Sequence, residues 1–204
     1  MTRCHPSIQA SFALAAMFAA WSCGCSKPNA GGGAISPAPN SPPTVKAVEP
    51  TTDTKPSAPV TLQVVDKAGY DDAIHKHAGK VVLVDFWATW CVPCKRMFPH
   101  TVHLHDEFSG QGLAVVSVSL DDADAEPEAL AFLTKSHATF DNLRVKSGAG
   151  DETFDAFEIA SGAIPHFKLY DRSGKLHRVF DVDPTAEKQF TAEDIEQAVR
   201  ELLK

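Results

Sequence analysis

The run Val81-Val82-Leu83-Val84-Asp85-Phe86-Trp87, followed shortly by Cys91-Val92-Pro93-Cys94, constrains this chain more than any other feature. A continuous β-branched and aromatic run reads as a strand buried on both faces. The residues after the cysteines, Lys95 to Phe108, read as a helix. Met97, Thr101, Leu104 and Phe108 fall at helical spacing and are expected to form its buried stripe. The cysteine pair therefore lies between a buried strand and the start of a helix. At that position free N–H groups and the helix dipole stabilise a thiolate on the first sulfur. The second sulfur lies one turn further in, close enough to close a disulfide. Pro93 falls in the first turn, where a missing N–H leaves nothing unsatisfied and the ring stiffens the loop.

A structural zinc site is the rival use of a Cys-x-x-Cys pair, and it needs two further ligands. The other cysteines, Cys4, Cys23 and Cys25, all fall near the N-terminus, and His100, His103 and His105 spread around a helix at about 100° per residue instead of converging. No metal and no other cofactor is expected. Copper handling on two cysteines and a distant histidine is the alternative function of a different class, and it needs soft ligands brought together. A peroxidase is excluded by the absence of a threonine-and-cysteine arrangement, since Cys91 belongs to the pair.

The rest of the chain from Val60 alternates between strand and helix. Val60–Val65 and Leu113–Leu120 read as strands, Tyr70–His77 and Pro127–Ser136 as helices, and Asp151–Phe157 as a further short helix. His166–Tyr170 and Leu176–Phe180 flank Asp171-Arg172-Ser173-Gly174 as a hairpin. Thr191 with Asp194 resembles a capping box that opens a last amphipathic helix. This order predicts an α/β fold: a central mixed β-sheet flanked by α-helices on both faces.

The first 59 residues are different material. Residues 1–25 read as an export signal: Arg3 precedes the uncharged 12-residue run Ala10–Trp21, too short to span a bilayer as a helix. Cys23 after Ser22 and Cys25 after Gly24 resemble the lipidation site of bacterial lipoproteins, with ordinary cleavage and secretion as the alternative. Residues 26–59 hold eight of the 14 prolines, three consecutive glycines and almost no large apolar side chains, and are expected to be a disordered tether. Arg3, Lys27, Lys46 and Lys55 outnumber Glu49 and Asp53 by two, so residues 60–204 carry −9 of a total formal charge of −7. So acidic a domain argues against nucleic acid as a partner and against lying flat on anionic lipid.

The segment Asp85-Phe86-Trp87-Ala88-Thr89-Trp90-Cys91-Val92-Pro93-Cys94-Lys95 with Pro99, and the distant Ile164-Pro165 before a strand, resemble the active site of the thioredoxin superfamily. With the leader, the closest branch is that of exported, membrane-tethered thiol–disulfide oxidoreductases of TlpA/ResA type. The resemblance spans residues 60–204 and implies a thioredoxin-like domain. It implies that Cys91 is an exposed nucleophile, that Cys94 resolves the mixed disulfide, and that Asp85 is a buried carboxylate with a raised pKa that accepts the Cys94 proton. Trp90 would shield the site and Trp87 would pack. Pro93, Ile164 and Pro165 would contact substrate, Pro165 as a cis-proline presenting backbone for strand-like pairing. Pro99 would kink the helix. The partners implied are disulfide-containing exported proteins and a membrane thiol donor, acting in redox homeostasis or cytochrome c maturation. The Val-Pro dipeptide and Ile164 favour reduction. A monomer in the cell envelope or periplasm is expected.

The sequence also departs from the pattern. Ser117 stands where thioredoxins proper have a lysine near the buried carboxylate. Met97 replaces a glutamate common in ResA-like proteins. His166 replaces the threonine that usually follows the cis-proline, and reads equally as a groove residue adding pH sensitivity or as a plain surface histidine. Asp121–Gly150 resembles an insertion found in the tethered branch.

Overall fold

Val81–Trp87 forms strand β2, and every one of its residues is buried. The rest of the domain is arranged around it. The computed structural model describes residues 59–204, so the signal-like leader, the tether up to residue 58 and both lipidation candidates, Cys23 and Cys25, lie outside the described residues. In chain order the other elements are β1 (Gln63–Val65), α1 (Lys67–His75), α2 (Val92–Phe108), β3 (Leu113–Ser119), α3 (Glu126–Lys135), β4 (Asp141–Val145), α4 (Asp151–Ala156), β5 (His166–Tyr170), β6 (Leu176–Phe180) and α5 (Ala192–Leu203).

The six strands form one sheet in the order β1-β4-β3-β2-β5-β6. The pairings β1–β4, β4–β3 and β3–β2 are parallel, while β5 runs antiparallel to β2 and β6. The sheet is therefore mixed, as the strand–helix order implies, and β2 is inside it. Successive side chains of a strand point to opposite faces. Val82, Val84 and Phe86 pack with Val116 and Val118 of β3, Tyr70 and Ile74 of α1, and Phe157 just after α4. Val81 and Leu83 pack on the other side with Leu104 and Phe108 of α2 and Ile195 and Val199 of α5. Trp87, at the end of β2, sits among Phe98 of α2 and Ala129 and Leu133 of α3, with ring centroids 5.2 Å from Phe98 and 4.8 Å from Phe132. Burying each such aliphatic or aromatic side chain contributes roughly 1.5–3 kcal/mol, enough for both faces of β2 to fix its depth and register.

Several element ends follow their local chemistry. Asp66 caps α1 by accepting from the Gly69 N–H at 3.0 Å, so the helix starts at Lys67, three residues before the expected start. Thr191 and Asp194 make the capping box of α5 in both directions. In the β5–β6 turn the Gly174 N–H donates to the Asp171 carbonyl at 2.9 Å, with Gly174 at φ +81°, a conformation that only glycine adopts without strain.

Three sequence expectations need correction. The first strand spans Gln63–Val65 only. In α2 the buried positions are Cys94, Phe98, Thr101, Leu104 and Phe108; Met97 lies to one side, half-buried against the α5 face. The segment Asp121–Gly150 supplies, besides the expected helix, strand β4, which enters the sheet between β1 and β3. The sequence Asp-Asn-Leu-Arg-Val hides that strand because Asn142 and Arg144 are polar yet buried and satisfied. The Asn142 amide donates to the Ala138 and Phe140 carbonyls, and Arg144 reaches Glu126 at 3.1 Å.

Candidate active site

The link from β2 to α2 places the cysteines. Cys91 is the N-cap of α2, and its sulfur accepts the Cys94 N–H at 3.2 Å. Pro93 lies in the first turn, exposed, as the sequence indicates. The two sulfurs form a disulfide with Cα atoms 5.3 Å apart. An atom that accepts a backbone N–H at the positive end of a helix is favoured as an anion once the disulfide opens.

The expectation that Cys91 is openly exposed is corrected: it is 4% exposed and Cys94 2%. The flanking residues are the exposed ones, Trp90 at 58% and Val92 at 52%. Trp90 thus stands at the rim of the pair, while Trp87 is fully buried as packing. What covers Cys91 is the loop before β5. The Ile164–Pro165 peptide is cis, and the Ile164 carbonyl oxygen lies 3.8 Å from the Cys91 sulfur. In the disulfide that sulfur has no proton to donate; as a thiol it is within reach of the carbonyl. Ile164 is half-buried and Pro165 buried. Pro99 lies inside α2, which runs through it without a break.

Asp85 is in the middle of β2 on the α2 side, 1% exposed. Burial pushes its carboxyl up to about 7, only partly opposed by a hydrogen bond from the Thr101 hydroxyl to Oδ2 at 2.7 Å. Ser117 is the β3 residue in register with Asp85, but its hydroxyl donates to Asn142 Oδ1 at 2.8 Å. The polar partner of Asp85 is therefore Thr101, which the sequence presents as one more member of a buried stripe. Only the laying of α2 over β2 shows the pairing.

A second buried carboxylate escapes the sequence reading. Asp121 is fully buried just after β3 and receives the Thr89 N–H at 3.0 and 3.1 Å, the Thr89 hydroxyl at 2.6 Å and the Ser119 hydroxyl at 2.7 Å. Thr89 is two residues before Cys91, so Asp121 anchors the approach to the cysteine pair. An acid directly after a strand whose residues are all buried was the available signal. His166 is neither exposed nor at the surface: it is fully buried, with Nδ1 3.0 Å from Asp181 Oδ1. His100 faces Glu196 at 3.8 Å, His103 faces Glu107 at 3.1 Å, and His105 packs against Phe140. Among the described residues no group of three or more His, Cys, Asp or Glu converges on a common point.

The Thioredoxin family model matches residues 61–139. The chain is 25% identical over 134 residues to the thiol-disulfide oxidoreductase ResA of Geobacillus kaustophilus, covering 66% of this chain and 70% of that protein. It is 30% identical over 101 residues to the ResA of Bacillus subtilis, covering 50% of this chain and 52% of that protein. Among solved structures, a DsbE-type thiol:disulfide interchange protein from Chlorobium tepidum is 27% identical with a TM-score of 0.51, covering 64% of this chain and 85% of that one. The thioredoxin domain of a thiol-disulfide oxidoreductase from Bacteroides vulgatus, 21% identical, shares the fold with a TM-score of 0.51 over 64% of this chain and 84% of that one. A disulfide at a helix N-terminus, roofed by a cis-proline loop on this mixed sheet, defines a thiol–disulfide exchange domain of the thioredoxin superfamily. The relatives it matches within that superfamily are ResA-type proteins, and the chain is a thiol–disulfide oxidoreductase.

Proposed function

We propose that this protein is an exported disulfide reductant in which Cys91 is the nucleophile, Cys94 the resolving thiol and Asp85 the proton acceptor. The observation that carries the reading is the Cys94 N–H aimed at the Cys91 sulfur at 3.2 Å, because it stabilises negative charge on that sulfur and on no other. In the reduced enzyme the Cys91 thiolate attacks one sulfur of a partner's disulfide. The partner's other sulfur leaves as a thiolate, and a mixed disulfide joins the two proteins. Cys94 then loses its proton to Asp85 and attacks the Cys91 sulfur. The second partner thiolate leaves, two electrons have passed to the partner, and the Cys91–Cys94 disulfide remains. A carboxyl near 7 suits a group that takes and returns a proton around neutrality.

Trp90, Pro93, Ile164 and Pro165 form the partner-facing rim in this scheme, the Ile164 carbonyl supplying backbone for an extended substrate segment. The reducing direction rests on the Val92-Pro93 dipeptide and Ile164. Export, a lipid anchor at Cys25 or Cys23, and the tether of residues 26–59 rest on the leader's composition; among the described residues no helix is long and apolar enough to cross a membrane. On this reading a monomeric domain of residues 60–204 works in the cell envelope, is recharged by a membrane thiol donor, and acts on exported disulfide proteins, with cytochrome c maturation or general redox homeostasis as its setting.

Cys91→Ser tests the assignment: turnover of a model protein disulfide should vanish, and retained turnover would remove Cys91 from its role. Equilibration with thiol–disulfide buffers tests the direction. A midpoint toward the thioredoxin value of about −270 mV supports a reductant, and one near −120 mV an oxidant.

A further inference from the structure

Ile164 and Pro165 close a short loop that opens at Ser161, and both ends of that loop are tied to one carboxylate. Asp181 directly follows β6 and is about three-quarters covered. Ser161 donates to it twice, from the backbone N–H to Oδ2 at 3.2 Å and from the hydroxyl to Oδ1 at 2.5 Å. His166, the residue after Pro165, brings Nδ1 to 3.0 Å from Oδ1. A carboxylate only accepts, so the proton of a neutral imidazole here is on Nδ1. The loop is braced internally as well: the Ala163 N–H donates to the Ser161 hydroxyl oxygen at 3.2 Å, and the Gly162 N–H to the Ile159 carbonyl at 2.9 Å.

The surroundings keep this arrangement in one protonation state. Burial lowers the pKa of His166, outweighing the hydrogen bond and charge of Asp181, which pull the other way; Lys168 on the same strand lowers it further. Burial alone would raise Asp181, but the hydrogen bonds from Ser161 and His166 hold it below the usual carboxylate range. Near neutral pH the pair is a neutral imidazole donating to an ionised carboxylate. The imidazole itself cannot swing away, because it is fully buried with its ring 5.4 Å from that of Phe86 on β2.

We infer that Asp181 is a positioning residue for disulfide exchange. It fixes the backbone of residues 161–165 from both ends, so that the Ile164 carbonyl stays over the Cys91 sulfur and the loop backbone is held in place to pair with an extended, disulfide-bearing peptide segment. A rigid loop favours disulfides carried on a flexible peptide over small disulfides that make no backbone pairing. This inference rests on the proposed attack of Cys91 on partner disulfides and names what selects among them.

The test uses the reduced full-length protein and two oxidants: a pair of ten-residue peptides joined by a disulfide, and the small aromatic disulfide dithionitrobenzoate. Second-order rates are measured for wild type, Asp181→Asn and Ser161→Ala, with far-UV circular dichroism confirming that each variant is folded. Ser161 is exposed, so its hydroxyl can be removed without touching the core. The ratio of peptide rate to small-disulfide rate should fall roughly 10-fold in Asp181→Asn, equivalent to about 1.4 kcal/mol, with the loss in the peptide rate and the small-disulfide rate kept. Ser161→Ala should move the ratio the same way by a smaller factor. A ratio within about 2-fold of wild type in both folded variants overturns the positioning role. A wild-type protein that reduces neither disulfide overturns the underlying exchange reading instead.

Discussion

Replacing Asp85 by Asn in the disulfide-bonded protein isolates what burial of this carboxyl does to stability. In the fold the group sits at about 7 against an ordinary value of 3.8, because burial disfavours the anion more than the Thr101 hydrogen bond favours it. The folded-state value is the raised one. Between 3.8 and about 7 the unfolded chain has therefore released a proton that the folded chain keeps, and stability declines as pH rises through that window. About three units at 1.36 kcal/mol each give a loss of ~4 kcal/mol that is complete above pH ~7. Asn keeps an acceptor for the Thr101 hydroxyl and does not ionise, so the variant lacks this decline. Urea unfolding of both oxidised proteins is the assay, since neither Cys91 nor Cys94 then titrates. The stability of Asp85→Asn relative to wild type should grow by about 2–3 kcal/mol between pH 5 and pH 8. Parallel stability curves over that range would refute the claim that Asp85 is protonated in the fold below neutrality. In the proposed mechanism the same variant resolves mixed disulfides slowly, so the stabler protein is the poorer catalyst.

Two more outcomes follow from individual contacts. Thr101→Val removes the hydroxyl that lowers the Asp85 pKa. The stability decline should then extend to higher pH by roughly half a unit, the equivalent of a net hydrogen bond of about 0.7 kcal/mol, read from the same urea series. Asp121→Ala leaves the Thr89 N–H, the Thr89 hydroxyl and the Ser119 hydroxyl without their acceptor. It should lower stability by roughly 2–4 kcal/mol in urea unfolding.

Strands β2, β5 and β6 were legible because their residues are what a buried or hairpin strand demands, and β2 and the hairpin match the structure to the residue. Strand β4 was not, because a run of Asp, Asn and Arg reads as surface until Ser117, Ala138 and Glu126 are seen to satisfy it. The same rule separates the site residues. A lone Asp inside VVLVDFW announces itself, and two cysteines before a helix do so as well. Thr101, Asp121 and Asp181 are ordinary residues in their own segments. They acquire a role only from neighbours 15 to 32 positions away, a distance over which a sequence pattern carries no signal. His166 shows the limit in the other direction: its place after Pro165 was plain, but its burial depended on the packing of Phe86 and the carboxylate of Asp181.

The sulfur of Cys91 is at once a reacting atom and the first capping group of α2. A thiolate is a stronger acceptor than a disulfide sulfur, so each electron pair the protein gains or gives up changes the strength of one backbone hydrogen bond. The amide proton of Cys94 is thus a built-in reporter of redox state. Its chemical shift and exchange rate should follow the charge on the neighbouring sulfur, letting the state of the protein be read in solution without any dye or added probe.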